Sequence, residues 1–161
     1  MTDAVKFRND FFELVDDVCK ELGYPPRPSR PESDEVVAME MELDGYPFAV
    51  VHSLVTASDC ILIECRFGAL PAENREAVLY RLLHLNYALA DAGASVFCVD
   101  GELNQVLYVN NCDLSNQTGQ ALLGSMTQMS WQARQWNENH FLEPKEKSAN
   151  AGFPAEFGAL A

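Results

Sequence analysis

Hydrophobic positions along this chain follow two periods that succeed one another in blocks. Between Ala4 and Leu22, Phe7, Phe11, Leu14, Val15, Val18 and Leu22 recur every three or four residues, the spacing of one helix face. Asp10, Glu13, Asp16, Asp17 and Glu21 hold much of the other side, while Phe12 and Cys19 widen the apolar stripe. Gly23 ends this helix, and the segment YPPRPSRPES after it carries too much proline to be helical. The period then drops to two. Val37, Met39, Met41 and Leu43 alternate with Ala38, Glu40, Glu42 and Asp44, which predicts a strand with one wet face. Asp44-Gly45 predicts a tight hairpin turn. A second strand, Phe48 to Leu54, is apolar on both faces near its middle. Thr56 to Asp59 turns the chain into a third, where Ile61, Ile63, Cys65 and Phe67 alternate with Cys60, Leu62, Glu64 and Arg66. The three are expected to form an antiparallel meander.

The stretch from Glu73 to Asp100 is the densest part of the pattern. Pro71 and Glu73 open a helix in the manner the macrodipole favours, and Gly93 stands where a left-handed residue would stop it. From Ala77 to Ala90 only Arg81, His84 and Asn86 are polar; Arg81, His84 and Asp91 form one narrow stripe with Ala88 between them. The remaining circumference is Leu, Val, Tyr and Ala, including the ladder Val78, Leu82, Leu85 and Leu89 and its neighbour Leu79, Leu83. A helix this apolar has to be covered on more than one side. One face can lie on the chain's own sheet; the other needs a second layer or another copy of the protein. Two short strands follow, Val96 to Asp100 and Gln105 to Asn110, joined by a turn at Asp100-Gly101. Ser115 is the expected cap of a last helix whose buried stripe is Leu122, Met126, Met129, Ala133 and Trp136. The order is α-β-β-β-α-β-β-α, an α+β fold of an antiparallel sheet packed with helices. One domain, residues 1–139, is expected, with residues 140–161, rich in Pro, Gly, Ala, Lys and Glu, as a flexible tail.

Charge and cysteine content narrow the function classes. With 24 acidic and 11 basic side chains the net charge is −13; nucleic-acid binding, which draws most of its affinity from phosphate neutralisation, is excluded on that balance. The N-terminus MTDAVKFRND lacks the apolar region of a signal peptide, and no run spans a membrane, so a cytoplasmic protein is expected. Cys19, Cys60, Cys65, Cys98 and Cys112 are an odd set without a CxxC pair, each in apolar context. They read as reduced core cysteines. His52, His84 and His140 stand far apart and beside no cysteine pair, so no metal site is expected. Asp16-Asp17 and Glu40/Glu42 read as solvated faces rather than catalytic carboxylates. No nucleophile motif, glycine-rich phosphate loop or cofactor signature is present. The methionine-rich GSMTQMSWQ reads as core packing, with an adaptable client surface as the second reading.

LLHLNYALADAGASVFCVD, a short turn, the strand QVLYVNN and a helix ending in Trp (LLGSMTQMSWQARQW) together resemble the CesT/Tir-chaperone family, the small acidic dimeric chaperones of bacterial type III secretion effectors. The segment order matches from about Ala4 to Trp136, best at Leu85, Asn86, Ala88, Leu89, Ala90, Gly93, Phe97 and Asp100. Asn111-Cys112-Asp113-Leu114, where the family often has Leu-Pro-Leu, and the long C-terminal tail depart from it. The resemblance implies a non-enzymatic homodimer that holds the N-terminal segment of a secreted effector in extended form, without cofactor or ATP. Candidate dimer residues are Val78, Leu82, Leu85, Leu89 and Phe97; candidate effector-binding residues are Phe7, Phe11, Phe12, Val15, Met39, Met41, Phe48 and Val50. Two other readings stay open: a chaperone-fold regulator or adaptor of the YbjN-like kind, and a small cysteine-dependent or ligand-binding enzyme.

Overall fold

In the computed structural model, which describes residues 3–25, 35–90 and 95–142, helix α1 (Asp3–Glu21) leads into three strands, β1 (Val36–Leu43), β2 (Tyr46–Ser53) and β3 (Ala57–Ala69). Helix α2 (Arg75–Leu89) separates them from β4 (Ser95–Asp100) and β5 (Gln105–Asp113), and α3 (Gly119–Asn139) closes the described chain after a 3₁₀ turn at Leu114–Asn116. The element order is the expected one. The strands make a single antiparallel sheet in the order β1-β2-β3-β5-β4, so β1 and β4 are its edges.

Alternation decides which side of the sheet is dry. Val37 and Met39 of β1 pair with His52 and Val50 of β2, and Val50 and Phe48 pair with Ile63 and Cys65 of β3. All of these are buried, as are Tyr108 and Phe97 across β5 and β4. The helices pack on this one face. From α1 come Phe11, Phe12, Val15 and Val18; from α3 come Leu122, Met126, Met129, Ala133 and Trp136, the stripe expected from the helical spacing. The two helices approach closely at Gly119, where a Cβ would lie 2.8 Å from the Asp17 Cβ. Only glycine permits that contact without one helix moving. Polar side chains tie α3 to the strands: Ser130 donates to the Asp44 carboxylate at 2.8 Å, and Asn137 donates to the Phe67 carbonyl at 3.2 Å.

Turn chemistry accounts for most boundaries and for the departures from the expected ones. Asp44 and Gly45 both take positive φ, 54° and 82°, the two-residue hairpin whose twist matches its strands. β3 begins at Ala57 because the turn is tighter than Thr56–Asp59: the Ser53 hydroxyl accepts from the Val55 and Thr56 amides. Helix α2 starts at Arg75 behind a left-handed Asn74, with Pro71 and Glu73 left in the connection. Ser115 does not cap α3. It sits in the 3₁₀ turn held by Asp113, and Thr118 caps α3 by accepting from the Ala121 amide at 3.1 Å. Gly93 and Asp91 fall outside the described residues, as does the tail beyond Leu142. Two residues after α3, Phe141 is buried against Phe67, Phe97 and Trp136.

Candidate functional site

The surfaces on α2 follow from its two apolar ladders. Val78, Leu82, Leu85 and Leu89 turn toward the sheet and are buried, Leu85 to 1 % exposure. Phe97 lies beneath them in the cluster with Phe67 and Tyr108. These five residues are the candidate dimer contacts, and each is enclosed within its own protomer. Side chains already enclosed by their own protomer have no surface left to give a partner. The opposite side of the helix carries Tyr80, Leu83 and Tyr87 at 71, 68 and 78 % exposure, with the exposed His84 ring stacked beside Tyr80. Large apolar groups on adjacent turns form the kind of patch that marks an interaction site.

Two polar anchors fix how α2 presents that ladder. Arg81 Nε donates to the Phe141 carbonyl at 3.1 Å. Asn86 makes a paired contact with the backbone of Phe97: its Nδ2 donates to the carbonyl at 2.9 Å and its Oδ1 accepts from the amide at 2.7 Å. Phe97 lies on the edge strand β4, so this amide does what a neighbouring strand would do and closes that edge locally. At the other edge, among the described residues, β1 pairs with β2 alone.

Helix α1 and the first strands supply the other candidates. Phe11, Phe12, Val15, Phe48 and Val50 are fully buried and Met39 nearly so. They are core, not surface. Phe7 and Met41 remain partly accessible at the margin of the same cluster, and of the eight candidates only these two can touch another molecule without rearrangement. Beneath α1 lies a buried polar pair that the periodicity did not signal. Arg8 Nε donates to His52 Nδ1 at 2.9 Å, and His52 Nε2 meets the Ser58 carbonyl at 2.8 Å. With Nδ1 accepting from a guanidinium that stays charged, the imidazole is neutral and its proton is on Nε2. Burial pushes the His52 pKa below its ordinary value; the Arg8 charge lowers it too, and the bond to Ser58 partly offsets both. The ring also stacks on Phe11 at 5.2 Å, so the pair joins α1 to β2.

Reactive chemistry finds little support in the side chains. All five cysteines are free thiols. Cys19 and Cys65 are buried and Cys60 and Cys112 half-buried, but Cys98 is exposed on edge strand β4, which corrects the reading of all five as core. Burial pushes the Cys65 pKa up to about 12, and it raises those of Cys60, Cys98 and Cys112 as well. A nucleophilic thiol needs the opposite shift. Among the described residues no group of three His, Cys, Asp or Glu side chains could hold a metal ion, and no helix is long and apolar enough to cross a membrane.

Comparison with known proteins places this arrangement. The model of the Tir chaperone protein (CesT) family matches residues 34–137, which take in the whole sheet, α2 and nearly all of α3. No curated protein matches the chain. A chain of the ExsC–ExsE complex superposes with a TM-score of 0.66 at 13 % identity, covering 81 % of this chain and 92 % of that one. A chain from the structure of the Yersinia pestis type III secretion chaperone SycH with a stable fragment of YscM2 gives 0.59 at 16 % identity, covering 78 % and 98 %. A chain of the HopA1–SchA chaperone–effector complex gives 0.58 at 15 % identity, covering 81 % and 95 %. At these identities the likeness is one of fold.

Proposed function

The chain belongs to the Tir chaperone protein (CesT) family, and from that premise we propose that it is a type III secretion chaperone that binds the N-terminal region of a secreted effector in extended form and keeps it soluble and secretion-competent. The observation that carries the reading is the family match across residues 34–137. The neighbouring folds come from a chaperone–effector complex and from a chaperone bound to a partner fragment, in keeping with the same role. The chain's surface suits it. Cores of this size leave single apolar residues outside; here Tyr80, Leu83 and Tyr87 stand together on one helix.

The protein acts in the bacterial cytoplasm as a homodimer, with α2 packed against α2 of a second copy. A two-fold contact needs one self-complementary patch, and the Tyr80–Leu83–Tyr87 ladder is continuous enough to supply it. The client adds main-chain hydrogen bonds at the β1 edge, while β4 stays closed at Phe97 by Asn86. Phe7 and Met41, at the margin of the core, are placed to meet its apolar side chains. No cofactor enters this work.

The test is affinity capture of the full-length protein from a secreting strain, followed by truncation of the captured client. An effector retained through its N-terminal segment, and lost when that segment is deleted, is the expected result. Capture that survives the deletion, or no secreted protein recovered from any secreting strain, overturns the reading.

A further inference from the structure

The sheet has a second face that no described element covers. All three helices bury their apolar sides on the other one, so the residues between the buried positions point outward. Register places them in rows. In one, Glu40 of β1 pairs with Ala49 of β2, Ala49 with Glu64 of β3, Glu64 with Val109 of β5, and Val109 with Val96 of β4. The adjoining row carries Glu42 opposite Pro47, and Arg66 opposite Leu107. An antiparallel face turned to water normally reads polar throughout. In these two rows the face is polar over β1 and β3 and apolar over β5 and β4, whereas the next row, Ala38, Val51, Leu62 and Asn111, is apolar as far as β3 and polar on β5.

Small side chains on β2 make the acidic half concave. Pro47 and Ala49 form the floor of a hollow of about 270 Å³ whose walls include Glu40, Glu42 and Arg66. Glu40 and Glu64 flank Ala49 two strand spacings apart, about 10 Å, which admits one long side chain between two carboxylates. The Arg66 guanidinium stands in the same wall, so the hollow itself is lined by two carboxylates and one cation, with Glu64 across Ala49. Acid on one half, apolar floor on the other: this fits an amphipathic partner with cations along one flank.

We infer that this outer face is a docking surface for an amphipathic segment of the client whose apolar side rests on Val109, Leu107 and Val96 and whose flanking Lys or Arg side chains enter the hollow walled by Glu40 and Glu42, with Glu64 across Ala49. The inference rests on the chaperone reading for the identity of the partner and adds to it the charge that the partner must carry. A net charge of −13 on the chaperone draws such a segment in and disfavours an acidic one.

Two synthetic peptides test it on the full-length protein. They share their apolar positions, and one has Lys where the other has Glu at the polar positions flanking them. The lysine peptide should perturb amide resonances on β1 to β3 and at Val96 and Val109, and bind at least about tenfold more tightly than its acidic counterpart. Raising salt from about 50 to about 500 mM should weaken it about tenfold. Glu40→Lys/Glu64→Lys should abolish that preference, and Glu40→Gln/Glu64→Gln, which keeps side-chain shape, should reduce it. Equal affinity for both peptides, no binding of either, or shifts confined to Tyr80–Tyr87 overturns the inference. A natural client that binds the Gln variant as tightly as the wild type also overturns it while leaving the chaperone reading intact. Absence of any client strikes that reading instead.

Discussion

Asn86 is one of three polar residues between Ala77 and Ala90, with Arg81 and His84, and its two hydrogen bonds explain why it is there. Both are made to the backbone of Phe97, so Asn86 positions α2 and closes an edge at once. Asn86→Ala leaves an amide and a carbonyl without partners in a half-buried place, and should lower stability by about 1–3 kcal/mol in urea unfolding. Asn86→Asp keeps the acceptor and sets a carboxylate against the Phe97 carbonyl, so it should be no less damaging. His52 makes the other residue-scale prediction. Its folded pKa lies below the ordinary 6.5, so between the two values the unfolded chain binds the proton that the folded ring refuses. Stability is therefore fully present above about pH 6.5 and falls as pH drops through it. His52→Gln, which can accept from Arg8 and donate to Ser58 without titrating, should flatten that slope between about pH 7 and 5.5, read from denaturation midpoints. An equal slope in the variant would assign the pH dependence to other groups.

At the scale of elements, α2 shows what periodicity can and cannot tell. Its excess of apolar positions is visible in the sequence, and so is the need for cover on two sides. The sequence does not say which ladder meets the sheet, because Val78–Leu82–Leu85–Leu89 and its neighbour Leu79–Leu83 both recur at helical spacing; the exposed row Tyr80, Leu83 and Tyr87 emerges only from the fold. Packing against Phe97 chooses the first. The same ambiguity applies to the client-binding candidates: an apolar stripe as wide as that of α1 reads as surplus surface, and α3 lies beside α1 with Phe11 and Phe12 buried. Strands were easier, since alternation shows both faces, and the five strands and their order along the chain were legible throughout. Arg8 and His52 were not, because two polar residues 44 positions apart leave no pattern until a helix is laid over a strand. The exposed row gives a sharp contrast. Leu83→Glu or Tyr87→Glu places charge on an exposed position and should yield a folded monomer by sedimentation and circular dichroism. Leu85→Glu buries an unpaired charge, which costs several kcal/mol, and should prevent folding. A wild-type monomer at micromolar concentration would leave the α2 contact without support.

For the molecule as a whole, acidity and exposed apolar surface are two sides of one arrangement. The chain has 24 acidic and 11 basic side chains, and a strong net charge keeps a protein with sticky faces in solution. The β1 edge, the partly accessible Phe7 and Met41, and the outer sheet face offer a client a path over the surface. Ordering an unfolded segment along such a path is costly, so the contact must be extensive, on the order of 1,000–3,000 Å². Hydrogen exchange on the purified complex of the full-length protein with its captured effector tests this most directly. The account predicts protection of the effector in several short stretches of its N-terminal region, each lost independently on release from the chaperone. Cooperative protection of the effector as a single globular unit, with its N-terminal region exchanging freely, would contradict it.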